Sequence, residues 1–455
     1  MRVHFIAIGG SIMHNLAITL QQKGYNVSGS DDHIYEPASS NLKKFDLLPE
    51  EFGWHPEKIT KDINAVILGM HARKDNPELL KAKQLGLKIY SFPEYVYSQT
   101  KNKQRIVVAG SHGKTTVSSM IIHVLSYWNI ECDYLVGAAL KGIERPVKLT
   151  ESAPVVILEG DEYMSSPLDL RPKFLNYHHH IGVITGIAWD HVNVYPKYED
   201  YEKQFELFIE ESPKAGVLIY STDDKVLKKL VKKSTISGDV DVIPYEKMKS
   251  KLKDGTTFLT GGSVNTATKV FGEHNLQNMT AAMEVCKRLN VSKDEFIEAI
   301  ASFEGAALRM QLVKDLGTTK VFRDFAHAPS KVRATVNALA KQYAKKDVVA
   351  CLELHTFSSL TSTFLSEYAK TLKEADIPLV YFNPKVVENK GLEKITAEDI
   401  YKAFDQKNVE VFTDEKALYQ RLKEIDWENK NLLLMSSGQF NKMPIDELVE
   451  FIASK

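Results

Sequence analysis

Cysteine is scarce. Only Cys132, Cys286 and Cys351 occur in 455 residues, and none belongs to a C-x-x-C pair. That speaks against a disulfide scaffold and predicts a reduced, cytoplasmic protein. Long apolar runs are missing too. None approaches the ~20 residues of a membrane span, and the opening MRVHFIAIGG enters a strand and a glycine turn without a signal peptide's cleavage region. Charge of one sign is not in excess. A net charge of -1 predicts neither a nucleic-acid nor a membrane partner. There is no internal repeat and no low-complexity tract. What the chain does have is a 44% hydrophobic content, enough for several cores, and a length that predicts two to four domains.

The most informative stretch is RIVVAGSHGKTTVSSMII, residues 105 to 122. A β-type apolar run ends at Gly110, a polar loop follows at Ser111, His112 and Gly113, and Lys114, Thr115 and Thr116 open an amphipathic helix. Strand, glycine loop and helix N-terminus form a phosphate cradle. Backbone N–H groups and the helix dipole face the anion, the lysine reaches the terminal phosphates, and a hydroxyl holds Mg²⁺. The usual pattern G-x-x-x-x-G-K-[ST] asks for glycine where this chain has Val108. A bare G-K-T also reads as a plain helix start. The strand before it, the second glycine and the Thr-Thr pair favour phosphate.

Residues 1 to 100 read as a first, Rossmann-like domain. Val3 to Ile8 is a buried strand, Gly9-Gly10-Ser11 a tight turn, and Ile12 to Lys23 a helix carrying Met13 in its first turn. A second strand closes on Gly29-Ser30-Asp31-Asp32. This β-α-β unit is similar to a dinucleotide site, with a diphosphate expected at the helix start and Asp31 near a ribose. The third fingerprint glycine is absent, so a bare fold without ligand is the competing reading. His71, in the loop after the strand Ala65 to Leu68, is either a ligand contact or a structural loop histidine.

Residues 101 to 305 form the expected central domain, of P-loop ATPase type. The strand Val155 to Leu158 ends in Glu159-Gly160-Asp161-Glu162-Tyr163, where Mg²⁺ needs oxygen ligands. The strand Gly182 to Thr185 leads to Asp190-His191, so His191 is a metal ligand, a proton carrier or a hydrogen-bonded loop residue. Tyr177-His178-His179-His180 reads as an extended strand lead-in. Side chains alternate there, so three histidines cannot face one ion. Gly272 to Asn278 begins a long helix, and His274, Asn275 and Asn278 either read an adenine edge or cap that helix. The segment SFEGAALR, 302 to 309, is a plausible hinge. Beyond it, residues 306 to 455 predict a third domain, again an α/β sheet, with polar loops at 324–329, 353–359 and 436–439.

Six segments now stand in register: G-S-H-G-K-T-T at 110, E-G-D-E-Y at 159, D-H at 190, G-E-H-N-L-Q-N at 272, F-E-G-A-A-L-R at 303 and D-F-A-H-A-P at 324. Together they resemble the Mur ligase family of ATP-dependent peptidoglycan-precursor ligases, over nearly the whole chain and in the same three-domain order. The resemblance implies an α/β protein of three domains, N-terminal Rossmann-like, central P-loop ATPase-type and C-terminal Rossmann-like. It implies a ligase that spends ATP to join a carboxylate to an amine through an acyl phosphate, with ATP and Mg²⁺ as cofactors. Lys114 would hold the β- and γ-phosphates. Thr115 would bind one Mg²⁺ with Glu159, Glu162 being the other acid in question, and His191 would bind a second. His274 and Asn275 or Asn278 would face adenine, Arg309 the γ-phosphate, Asp324 the ribose, and His327 would lie near the nucleotide. Leu308 stands where family members often carry a second arginine.

Within the family the chain looks most like the muramate branch, whose acceptor is the lactyl carboxylate of UDP-N-acetylmuramic acid. Gly9, Gly10, Ser11, Ile12, Met13, Asp31 and His71 would form the UDP-sugar site. Other ligases of the family carry a carbamylated lysine on the helix after the D-H pair. Here Phe205 falls near that position and Lys203 is out of register. Two amines compete, free L-alanine and the tripeptide L-alanyl-γ-D-glutamyl-meso-diaminopimelate of murein recycling. Glu159 to Tyr163, RPKF at 171 to 174 and MSSGQF at 435 to 440 favour the tripeptide, while ELHTFSSL at 353 to 360 matches neither well. The expected partners are small molecules (UDP-N-acetylmuramic acid and a peptide), and the expected state is a monomer or weak homodimer. A catalytically silent ATP-binding regulator is the alternative from another class. Folylpolyglutamate synthase fits less well, because it lacks a UDP-binding sheet before the phosphate loop.

Overall fold

The computed structural model describes residues 1–137, 143, 145–236 and 238–454. They divide into two compact units. The first comprises Met1–Ile187, Glu199–Glu246 and Ala281–Asn290, and the second Ala188–Tyr198, Lys247–Thr280 and Val291–Lys455.

The first unit holds two sheets. Strands β1 (Arg2–Ile6), β2 (Asn26–Ser30), β3 (Ala65–Leu68) and β4 (Ile89–Ser91) pair in parallel in the order β2-β1-β3-β4. The chain leaves β1 in one direction and returns to the other side as β3. The gap between β1 and β3 is therefore the switch point, at whose carboxyl ends an open α/β sheet binds ligands. The second sheet runs β11 (Asp241–Tyr245), β10 (Val217–Ser221), β9 (Ile181–Ile184), β5 (Gln104–Ala109), β8 (Val155–Glu159), β6 (Asp133–Leu135) and β7 (Val147–Lys148), with β7 antiparallel at the edge. β5 is buried from Arg105 to Ala109, as a continuous apolar run at the centre of a parallel sheet requires.

Two cations fasten the chain where it enters the second sheet. Lys103 Nζ donates to the carbonyls of Thr150 (2.9 Å) and Ala153 (2.6 Å) and meets Asp133 Oδ2 at 2.9 Å. Arg105 donates to the carbonyls of Thr100, Lys101, Lys103, Tyr177 and His178. The triple histidine is not extended as expected. Tyr177 closes a 3-10 turn and His178 is left-handed at φ 47°. His179 is buried against Phe208 and bonded to Ser212 Oγ at 3.0 Å, while His180 Nδ1 accepts from Arg105 N–H. Each imidazole has its own partner because the turn breaks the alternation.

The second unit contains a three-stranded antiparallel sheet, β12 (Ser250–Lys253), β13 (Thr256–Leu259) and β14 (Thr266–Thr268). Its six-stranded sheet runs β15 (Gln311–Asp315), β16 (Lys320–Asp324), β20 (Lys430–Met435), β17 (Asp347–Leu354), β18 (Ile377–Phe382) and β19 (Glu410–Phe412), parallel except at β15. Apolar side chains cover both faces. Among the described residues no helix is long and apolar enough to cross a membrane.

Candidate active site

β5 lies between β8 and β9, so the loops leaving all three strands meet at one edge. Gly110 has φ +121°, and a Cβ there would come within 2.8 Å of Thr185 N and 3.1 Å of Gly186 O. Only glycine fits that close approach. Ser111 N–H donates to Gly186 O at 2.9 Å, tying the loop to the end of β9. Gly113, left-handed at φ 75°, starts the helix Lys114–Tyr127 with no side-chain cap. The first N–H groups of that helix are thus left for a ligand.

Around this loop the side chains are sorted. Lys114 Nζ donates to Gly110 O at 2.7 Å and pairs with Glu162 Oε2 at 2.5 Å. Burial alone would lower the Lys114 pKa. The carboxylates of Glu162, Asp161 and Glu159 outweigh it and raise it, so the ammonium is charged. Thr115 Oγ1 donates to Glu159 Oε1 at 2.8 Å, and Gly137 N–H donates to Glu159 Oε2 at 2.7 Å. Glu159, then, is the acid beside the threonine hydroxyl, and Glu162 is the acid on the lysine. A hydroxyl and a carboxylate are hard oxygen donors, which suits Mg²⁺. Ser111 and Thr116 are buried, with His112 between them and Gly113 in the loop.

One residue of this arrangement escaped the sequence reading. Tyr201, fully buried on the helix Tyr198–Glu210, shares a hydrogen bond of 2.8 Å with Ser111 Oγ and donates to Glu162 Oε1 at 3.3 Å. Its only sequence signal is a place on the apolar face of an amphipathic helix. Phe205, one turn on, is also buried and packs on Phe174, whereas Lys203 is at the surface against Glu206.

The UDP-sugar candidates gather at the β1/β3 switch point, except Asp31, which directly follows β2 next door. Gly9 N–H donates to Asp31 Oδ2 at 2.7 Å. Burial, reinforced by the Asp32 carboxylate, pushes the Asp31 carboxyl up to about 6, against the Gly9 N–H that favours its ionised form. Gly10 O accepts from His14 Nδ1 at 2.9 Å and Ser11 O from Asn15 Nδ2 at 2.9 Å. His14 Nε2 accepts from Asn15 Nδ2 at 2.9 Å, so the ring is the neutral Nδ1–H tautomer, in keeping with a pKa that burial lowers. His14 and Asn15 shape the turn, which the sequence reading did not anticipate. Ser11 is exposed, Ile12 half-buried, Met13 buried, and His71 is exposed in the turn after β3.

The remaining candidates belong to the second unit. His274 is half-buried, and burial pushes it down to about 4. Asn275 Nδ2 donates to Phe271 O at 2.8 Å, and Asn278 Nδ2 reaches Asn275 Oδ1 at 3.4 Å. Arg309 lies over the Phe325 ring, 4.7 Å from its centroid. The Asp324 carboxylate takes Met310 N–H and Ala326 N–H, each at 2.6 Å, so it fixes the backbone just after Arg309 and just before His327. Burial raises its pKa against the opposing charge of Arg309. His327, bonded through Nδ1 to Phe325 O at 2.9 Å, is likewise pushed down to about 4 by burial. Burial would raise the Asp190 carboxyl, but Lys331, His191 and His327 hold it well below the usual range. At the carboxyl edge of β17 and β20, the buried Glu353 accepts from Ser436 Oγ and from Phe440 N–H at 2.8 Å.

Comparison with known proteins places the chain in a family. Family models described as "Mur ligase family, catalytic domain", "Mur ligase middle domain" and "Mur ligase, glutamate ligase domain" match residues 2–104, 108–286 and 308–438. A protein of Carboxydothermus hydrogenoformans, 31% identical over 83% of this chain and 80% of its own, is named UDP-N-acetylmuramate–L-alanine ligase. Two solved structures share the fold. One is a UDP-N-acetylmuramate–alanine ligase of Thermotoga maritima (TM-score 0.73, 20% identity, 100% of both chains). The other is a murein peptide ligase of Psychrobacter arcticus (TM-score 0.68, 22% identity, 100% of this chain and 99% of that one).

The expected tripeptide-adding, recycling activity is overturned by this sequence relative, which is named for L-alanine. The reason lies in what the favouring motifs do. Glu159 and Glu162 serve Thr115 and Lys114, Arg171 pairs with Asp169, and Lys173 with Asp161. Glu159 and Glu162 thus bond to the phosphate loop itself, while Ser436 and Phe440 of the third motif bond to Glu353. Matched over all three of its domains, the chain belongs to the Mur ligase family and is an ATP-dependent ligase that forms amide bonds.

Proposed function

We propose that the protein is a UDP-N-acetylmuramate–L-alanine ligase. The observation that carries this reading is the 31% identical relative of that name, which matches 83% of the chain. The lactyl carboxylate would take the γ-phosphoryl group from ATP, releasing ADP. The amine of L-alanine would attack the resulting acyl phosphate, and the tetrahedral intermediate would expel phosphate. Such chemistry needs alignment and charge neutralisation more than covalent help from the protein. Lys114 and the N–H groups of 110–116 would hold the phosphates, and Arg309 would add charge at the γ-phosphate. Thr115 and Glu159 would hold one magnesium ion and His191 a second, whose charge screens the transferring oxygens. His274, Asn275 and Asn278 would face adenine, Asp324 would lie at the ribose and His327 near the nucleotide. Gly9 to Met13, Asp31 and His71 would receive the UDP-sugar.

On this reading residues 1–100 bind the UDP-sugar, 101–305 bind ATP and 306–455 complete the ligase. The protein would work in the cytoplasm as a monomer or weak homodimer on small molecules alone. The deciding test supplies ATP, Mg²⁺ and UDP-N-acetylmuramic acid with either L-alanine or the tripeptide, and compares ADP release. Faster release with L-alanine is expected. Preference for the tripeptide overturns the substrate assignment, and nucleotide binding without any ADP release overturns the enzyme.

A further inference from the structure

The segment Ala188–Tyr198 falls within the residues matched to the middle domain, yet it belongs to the same compact unit as the six-stranded sheet. Its fastening is specific. Trp189 stands edge-on to Phe364, with centroids 6.1 Å apart at 84°, and its Nε1 donates to Tyr195 O at 3.0 Å. Trp189 and Val192 pack against the core beneath β17 and β20. Between them the buried Asp190 divides its two oxygens. Oδ1 accepts from the backbone N–H of His191 at 2.8 Å, and Oδ2 meets Lys331 Nζ at 3.2 Å. His191 itself is left-handed, φ 54°, and its carbonyl accepts from Val194 and Tyr195. A non-glycine residue keeps that backbone only where its surroundings over-determine it. Lys331 is the third residue of the helix Pro329–Gln342, directly after the loop bearing His327.

We propose that Lys331 is a positioning residue for the ligase reaction. Through Asp190 it fixes the backbone of His191, and with it the direction in which the imidazole points. Lys331 would act through the Asp190 carboxylate that it holds. It acts from outside, through the backbone N–H of His191 and not through the ring nitrogen that partners of metal-bound histidines usually hold. The inference rests on the reading of His191 as a magnesium ligand, and the test separates the two.

Chymotrypsin digestion of the metal-free protein reads the clamp. Lys331→Met should speed cleavage at Trp189 and Tyr195 severalfold, and Lys331→Arg should restore the wild-type rate. Mn²⁺ binding, followed by electron paramagnetic resonance with an unreactive ATP analogue present, reads the consequence. Lys331→Met should weaken the second ion on the order of tenfold, Lys331→Arg much less, and His191→Ala should abolish it. Wild-type cleavage in Lys331→Met overturns the clamp. Faster cleavage with unchanged Mn²⁺ binding reduces Lys331 to a structural residue and overturns the positioning role. An unchanged second ion in His191→Ala removes the metal reading and takes the inference with it.

Discussion

Thr115 Oγ1 donates to Glu159 Oε1 at 2.8 Å, while the other glutamate of the same loop, Glu162, sits on Lys114. Two acids three positions apart therefore have separate partners. Glu159→Gln should raise the Mg²⁺ concentration for half-maximal ADP release by about tenfold or more. Glu162→Gln should leave that concentration near wild type and raise KM for ATP instead. A magnesium shift in Glu162→Gln alone would reverse the assignment.

Gly110→Ala puts a Cβ 2.8 Å from Thr185 N on a backbone at φ +121°. The strain is on the order of 1–3 kcal/mol. Denaturant unfolding should show a loss of that size, and fluorescence titration should show nucleotide binding nearly gone. Wild-type affinity for an ATP analogue would mean that the loop leaves room for a Cβ beside Thr185.

The Asp31 carboxyl, pushed up to about 6 by burial and the Asp32 charge, gives a pH signature. The folded protein holds a proton that the unfolded chain releases nearer the ordinary carboxylate range. The stability this gives is present at low pH and is lost as pH rises toward 6. A ribose hydroxyl donates best to the ionised form. UDP-N-acetylmuramic acid affinity, by calorimetry, should therefore rise about tenfold between pH 5 and 7, and Asp31→Asn should flatten the curve. A flat wild-type profile would sink the ribose assignment.

Tyr201→Phe removes one hydroxyl that bonds both Ser111 and Glu162. A loss of about 1 kcal/mol in kcat/KM is expected, roughly fivefold. Ser111→Ala should add little on top of it, because both changes break the same bond. Full additivity in that cycle would show that Tyr201 acts elsewhere.

These cases mark what the sequence could and could not disclose. The strand Ala65–Leu68 and the Gly110–Lys114 loop were legible because local pattern decides them: a short apolar run, and glycines at positive φ before a helix. The choice between Glu159 and Glu162 was not, since it depends on which acid the end of β8 aims at Thr115. His178 defeated the alternation argument because a 3-10 turn replaces the strand there. Tyr201, His14 and Lys331 carry no motif at all. Their contacts come from chain folding over separations of 90 residues to Ser111 and 141 to Asp190, or, for His14, from one helical turn that looks ordinary in sequence.

Arg105 makes the stretch after Thr100 a poor place to cut the gene. Its guanidinium ties the carbonyls of Thr100, Lys101 and Lys103 to those of Tyr177 and His178. A fragment ending at Thr100 would lose the cation that closes its last helix. A fragment beginning at Ile106 would leave the carbonyls of Tyr177 and His178 without this donor, at about 1–3 kcal/mol for the buried Tyr177 carbonyl. Expression of either half alone should yield material prone to aggregate, whatever the domain boundaries drawn on paper.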